Sequence, residues 1–139
     1  MLTEKDYCDY ETCVALKELG YDGYCAAYYH LFDDEDDARN SFEYAYGFDF
    51  QNSNNIYRVG APLLYQAQKF LREEKNIIVD VRYGAQYYNV VLNHRITLGR
   101  HIVMDKNNRI ADFTKYEEAL LEGVKCAVKI LEENETIHR

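Results

Sequence analysis

Apolar positions recur at helical spacing in three stretches of the chain. In 10–19, Cys13, Leu16 and Leu19 fall on one helical face beside Val14, and Gly20 follows as a C′ residue, so a short amphipathic helix is expected there. In 62–75, Pro62 stands where a first helical turn tolerates it, and Leu64, Ala67, Phe70 and Leu71 keep an i, i+3, i+4 stripe. In 114–131, Tyr116, Leu120, Val124, Ala127, Val128 and Leu131 line one face of a closing helix, with Thr114 and Glu117 spaced as a capping box.

Between these helices the period shortens. The apolar, aromatic run 24–32 has strand length and lies between an Asp22-Gly23 turn signal and the acidic run Asp33-Asp34-Glu35-Asp36-Asp37. Residues 77–83 and 87–92 read as a hairpin about Gly84-Ala85, 101–104 as a third strand, and 109–111 as a further short strand after the turn residues 105–108. Residues 33–60 show neither period clearly and read as an irregular acidic and polar insert carrying one short strand near 42–46. The expected fold is therefore α+β: a small antiparallel sheet of three to five strands, two longer helices on one face, and a short N-terminal helix. At 139 residues one domain is expected over 1–139.

Charge changes this picture by its distribution. The chain has 16 basic and 24 acidic side chains, a net −8, yet 1–75 holds 7 basic and 15 acidic residues while 76–139 holds nine of each. Direct nucleic-acid binding is not expected of such a surface. Within 76–110, Arg82, His94, Arg95, Arg100 and His101 form a local basic set that could contact an anion. There are 14 tyrosines and no tryptophan, with six tyrosines between 21 and 46. Tyrosine joins a large apolar face to one hydroxyl, so Tyr24, Tyr28, Tyr44 and Tyr46 are read as a candidate protein-binding or self-association surface, against the alternative that half or more of the tyrosines are core residues whose hydroxyls reach the surface.

Motifs that would carry chemistry are few. An EF-hand loop starting at Asp33 would need Gly at 38 and Glu at 44, where Ala38 and Tyr44 stand. Ser41 and Ser53 lie in the irregular insert without a nucleophile-elbow pattern, and the seven glycines form no phosphate-cradling loop. Cys8, Cys13, Cys25 and Cys126 form no CxxC pair and read as buried hydrophobes in a reducing compartment, so no metal, cofactor or disulfide frame is expected. No apolar run is long enough for a membrane span, and the opening residues lack the pattern of a signal peptide, so a cytoplasmic protein is expected.

Three blocks of sequence carry a resemblance: Leu16-Lys17-Glu18-Leu19-Gly20-Tyr21 leading to Tyr28-Tyr29; Ala61-Pro62 with Ala67, Phe70-Leu71-Arg72-Glu73 and Ile77-Ile78-Val79; and Tyr116-Glu117-Glu118-Ala119 with Leu131-Glu132. In these the chain resembles small proteins that recur in gut bacteria, their bacteriophages and other mobile elements. Phe70 stands where such proteins commonly carry Trp, Leu63 where they often carry Thr, and the acidic run at 33–37 has no counterpart in them. The resemblance implies a cytosolic accessory protein of a mobile element and carries no catalytic residue or cofactor to any position.

Three functions stay open on this reading. The first is a non-enzymatic protein-binding accessory module. The second is an acidic mimic of nucleic acid directed at a host DNA-binding or defence protein. The third is a small enzyme or binder of an anionic metabolite using the basic 82–101 region.

Overall fold

The computed structural model describes residues 2–52, 56–95 and 99–137. It is α+β, with two antiparallel three-stranded sheets where the sequence pattern points to one, and the chain divides into two compact units, Met1–Ala67 and Gln68–Arg139.

In the first unit, helix α1 (Tyr10–Glu18) starts where the Asp9 side chain accepts the Thr12 amide at 3.0 Å. It ends at Gly20, whose φ of 98° is the left-handed conformation the sequence assigns to it. Strand β1 (Ala27–His30) is central, flanked by β2 (Glu43–Tyr44) and β3 (Arg58–Gly60), in the order β2-β1-β3. Alternation along β1 buries Ala27 and Tyr29 and leaves Tyr28 and His30 half-buried on the opposite face. Val59 pairs with Tyr29 and is also buried, and α1 contributes the buried Cys13 and Leu16 to this unit's core.

The expected irregular insert at 33–60 is corrected by three elements. The acidic run forms helix α2 (Glu35–Arg39), with Asp34 accepting the Asp36 amide at 2.9 Å and three carboxylates in the first turn, where the helix dipole favours negative charge. Arg39 then gathers its neighbours: it pairs with Glu11, with Asp36 at 3.0 Å and with Glu35 at 3.3 Å. The short strand expected near 42–46 is β2, and β3 is a strand the pattern does not reveal. Buried Asn52 braces the region, donating to Tyr21 O at 2.9 Å and accepting from the Gly60 amide at 2.7 Å. Gly60 has no room for a side chain, since a Cβ there would lie 2.9 Å from Cys25 Sγ.

Helix α3 (Leu64–Glu74) lies within the expected 62–75 but starts after Pro62, because Leu63 is held in a β-bridge with Tyr7, and the division between the units falls within the helix. The second unit is built on β4 (Ile77–Gly84), β5 (Tyr87–His94) and β6 (Gly99–Ile102), in that order. The β4–β5 hairpin turns through Ala85 and Gln86, both at positive φ, one residue beyond the expected turn. Strand β6 begins two residues earlier than expected, and in place of a fourth strand at 109–111 there is one bridge, Met104 to Ile110. Helix α4 (Tyr116–Ile137) packs on β4 and β5 with Ala119, Leu120, Val124, Ala127 and Val128 buried. Its approach depends on Gly123, where a Cβ would lie 2.6 Å from Val79 Cγ1 and 2.7 Å from Val90 Cγ1.

The expected capping box at the start of α4 is not where the helix begins. Phe113 exchanges two 2.8 Å backbone bonds with Tyr88, which holds the chain extended there, and the first helical bond runs from the Ala119 amide to the Lys115 carbonyl. Lys115, not Thr114, therefore occupies the N-cap position.

Candidate functional site

The outer face of the first sheet carries the most chemistry. The β1–β2 register sets Glu43 opposite Tyr28, and the β1–β3 register sets Arg58 opposite His30. Glu43 Oε2 accepts from the Tyr28 hydroxyl at 2.9 Å and from His30 Nε2 at 2.9 Å. Those two bonds, His30 first, hold the Glu43 carboxyl below its ordinary range, and the same bond raises the Tyr28 hydroxyl. The Arg58 guanidinium lies 4.8 Å from the centre of the Tyr28 ring, and Phe50 stacks on Tyr28 with centroids 5.1 Å apart.

Beside this cluster is an open cleft of about 490 Å³, lined by His30, Phe32, Asp37, Asn40, Ser41, Phe42 and Glu43. Phe32 stacks on the His30 ring at 5.7 Å, while Phe42 is fixed edge-to-face by Tyr7, Tyr29 and Tyr44. A serine, a histidine and a carboxylate thus meet in one cleft, but not as a nucleophile, base and orienting acid. The Ser41 hydroxyl has one hydrogen to donate, to Ala38 O at 2.6 Å, with His30 O the more distant acceptor at 3.2 Å, and it accepts the His30 amide at 2.8 Å. Its bonds are to backbone, and the imidazole is turned to Glu43.

The four tyrosines singled out in the sequence all belong to this unit. Tyr46 is 95% exposed, Tyr24 and Tyr44 are each 58% exposed, and Tyr28 is half-buried in the cluster just described. Of the 14 tyrosines only Tyr7, Tyr21 and Tyr29 are buried, so most are not core. Phe32, Phe48, Ile56 and Tyr57 add exposed apolar area within the same unit.

The basic residues of the second unit are spread by strand alternation. Register places Arg82 opposite Asn89 and Arg100 opposite Asn93, on one face of β5, while His101 opposite Leu92 lies on the other face with His94. Arg82 and Arg100 are further separated by four residues of β5, roughly 13 Å, and Arg82 is paired with Asp80 at 2.9 Å. Arg95 is exposed in the turn after β5, and residues 96–98 of that connection lie outside the described residues, as does Ser53. Asp105, in the expected turn at 105–108, accepts the Asn107 and Arg109 amides at 2.8 and 3.0 Å and shapes that turn.

Cys8, Cys13 and Cys25 are buried thiols; burial raises all three, Cys25 to about 12, so they are poor nucleophiles. Among the described residues, no three His, Cys, Asp or Glu side chains gather to hold a metal ion, and no helix is long and apolar enough to cross a membrane. His30, Phe32, Asp37 and Glu43 were not assigned to a site by the sequence, because β1, α2 and β2 converge only through tertiary pairing. The one available signal was the alternation of Tyr28, His30 and Phe32, which places three rings on one strand face.

Comparison with known proteins finds no matching family model, no similar curated protein and no similar solved structure.

Proposed function

We propose that the chain is a non-enzymatic protein-binding module whose first unit docks a basic protein surface, and that it serves as an accessory protein of a phage or mobile element in the bacterial cytosol. The observation that carries this reading is the exposure of Tyr24, Tyr44 and Tyr46 on a unit of strongly acidic charge. Residues 1–67 hold 4 basic and 13 acidic side chains, a net −9, whereas 68–139 hold 12 and 11, a net +1. Exposed aromatic rings among carboxylates suit a partner rich in Lys and Arg, because the rings attract cations through their faces and the carboxylates steer approach. The resemblance of three sequence blocks to proteins of gut bacteria and their phages is what suggests the cellular setting.

The test is capture from bacterial lysate on the immobilised protein, followed by titration of the purified captured protein. A basic protein is expected, with affinity that falls as salt rises and falls about tenfold or more in the Tyr44→Ala/Tyr46→Ala variant. Enrichment of nothing over a control column, or equal affinity of the variant, removes the reading.

A further inference from the structure

The cleft beside β1 offers a more specific contact than general acidity. Its polar side chains divide into those already engaged and those with acceptor capacity left. Asn40 Nδ2 donates to Asp36 O at 2.8 Å, and the Ser41 hydroxyl is occupied by three backbone groups. Tyr28 and His30 both bond the same oxygen of Glu43, Oε2. They fix the carboxylate, and among the described residues Oε1 accepts no bond. Asp37 is likewise exposed with a carboxylate that accepts none among the described residues. The nearby cation Arg39 is drawn to Glu11, Glu35 and Asp36 instead, and Arg58, whose charge helps to hold the Glu43 carboxyl low, lies over the Tyr28 ring and is not a lining residue of the cleft.

We infer that this cleft is a socket for an arginine side chain of the protein partner, with Glu43 Oε1 and the Asp37 carboxylate accepting from the guanidinium and the half-exposed Phe32 ring covering its plane. The inference rests on the docking function proposed above and names the group that is gripped. Two carboxylates beside aromatic rings select a cation. The absence of a metal-holding group of three ligands among the described residues, together with the flat apolar surface of Phe32, favours an organic cation over a metal ion. Guanidinium fits better than ammonium because it is planar, stacks on rings and has several donors in fixed directions, whereas lysine supplies a compact, strongly hydrated charge.

The test is an NMR titration of the full chain with three probes: a blocked Gly-Arg-Gly tripeptide, its lysine counterpart and free arginine. The arginine tripeptide is expected to shift the amides of His30, Phe32, Asp37 and residues 40–43, and to bind more tightly than the lysine peptide. Glu43→Gln and Asp37→Asn should each weaken it about tenfold, as expected for loss of one charge-assisted acceptor. Asp37→Asn leaves the bonds among Tyr28, His30 and Glu43 in place, so a fold disturbed in Glu43→Gln would not blunt the test. Shifts spread evenly over the acidic residues, or unchanged binding in Asp37→Asn, would overturn the socket. Free arginine binding as tightly as the blocked peptide would overturn a protein-borne ligand in favour of a metabolite. If both cleft variants keep full affinity for the captured basic protein while Tyr44→Ala/Tyr46→Ala loses it, the docking function stands and the socket fails.

Discussion

The sheet of the first unit is assembled by residues far apart in the chain, and the sheet of the second by neighbours. Strand β1 pairs with β2 and β3 through registers that join Tyr28 to Glu43 and His30 to Arg58, and the pieces are held by Asn52, Arg39 and a set of edge-to-face rings. Strands β4 and β5 instead run eight residues each through a tight turn, and α4 covers them with small and aliphatic side chains. The first unit gains particular polar and aromatic positions at its surface; the second gains regularity. Tyr24, Tyr44, Tyr46 and the cleft lie in the unit whose packing is the less periodic, which is where a scaffold carries variable chemistry, while the second unit exposes Tyr83, Tyr87 and Tyr116 on and beside its regular hairpin.

The largest expected effect separates the units by pH. A thiol whose folded pKa is raised contributes stability that is complete below its unfolded value, near 9, and is lost as pH rises toward the folded value, about 12 for Cys25. Burial raises Cys8, Cys13, Tyr21 and Tyr29 as well, all in the first unit, while the second unit has one such thiol, the half-buried Cys126. Raising pH through this window should therefore unfold β1–β3 before β4–β6, as followed by amide signals of each sheet. Simultaneous loss of both sheets would break the comparison.

Core truncation comes next. Leu16→Ala and Leu120→Ala each remove a buried side chain and should each cost about 2 to 5 kcal/mol in denaturant melts. Hydrogen exchange should then quicken at β1 in the first variant and at β4 and β5 in the second. The exposed Lys125→Ala is the control, expected within about 0.5 kcal/mol of the parent.

Asn52→Ala sharpens the comparison further, because one side chain there serves two backbone groups. Each group left unpaired in a buried site should cost about 1 to 3 kcal/mol, measured by the same melts. A negligible loss would show that the first unit does not depend on its polar brace.

The smallest effects concern helix starts. Asp9→Ala removes an observed cap and should cost about 1 kcal/mol. Thr114→Ala should change stability by no more than about 0.5 kcal/mol, since Thr114 precedes the N-cap position of α4.

That contrast shows what could be read from the chain. The β-branched run from Ile77, the Leu120, Val124, Ala127 and Val128 face of α4 and the Gly20 helix end are local signals that appear where their spacing puts them, whereas Tyr116, expected on the same face, is exposed in the first turn and Leu131 is only half-buried. Thr114 and Glu117 have the right separation for a capping box, yet a strand bridge from Phe113 to Tyr88 delays the helix, and that bridge spans too much chain to be seen locally. Helix α2 is hidden for a similar reason, since its arginine pairs with Glu11 on α1, 28 residues away. The tyrosines were identifiable by density alone; the convergence of His30, Asp37 and Glu43 was not, because it depends on a pairing between strands that are two and four residues long.

The brace made by Asn52 also sets an order of events during folding. Its bond to Tyr21 O closes a loop over 31 positions, and its bond to the Gly60 amide needs β3 already beside it, so it can form only after the intervening chain has collapsed. The β4–β5 hairpin closes through a two-residue turn, an event on the scale of about 1 to 10 μs. The acidic, aromatic surface is therefore expected to be the last part of the protein to take shape.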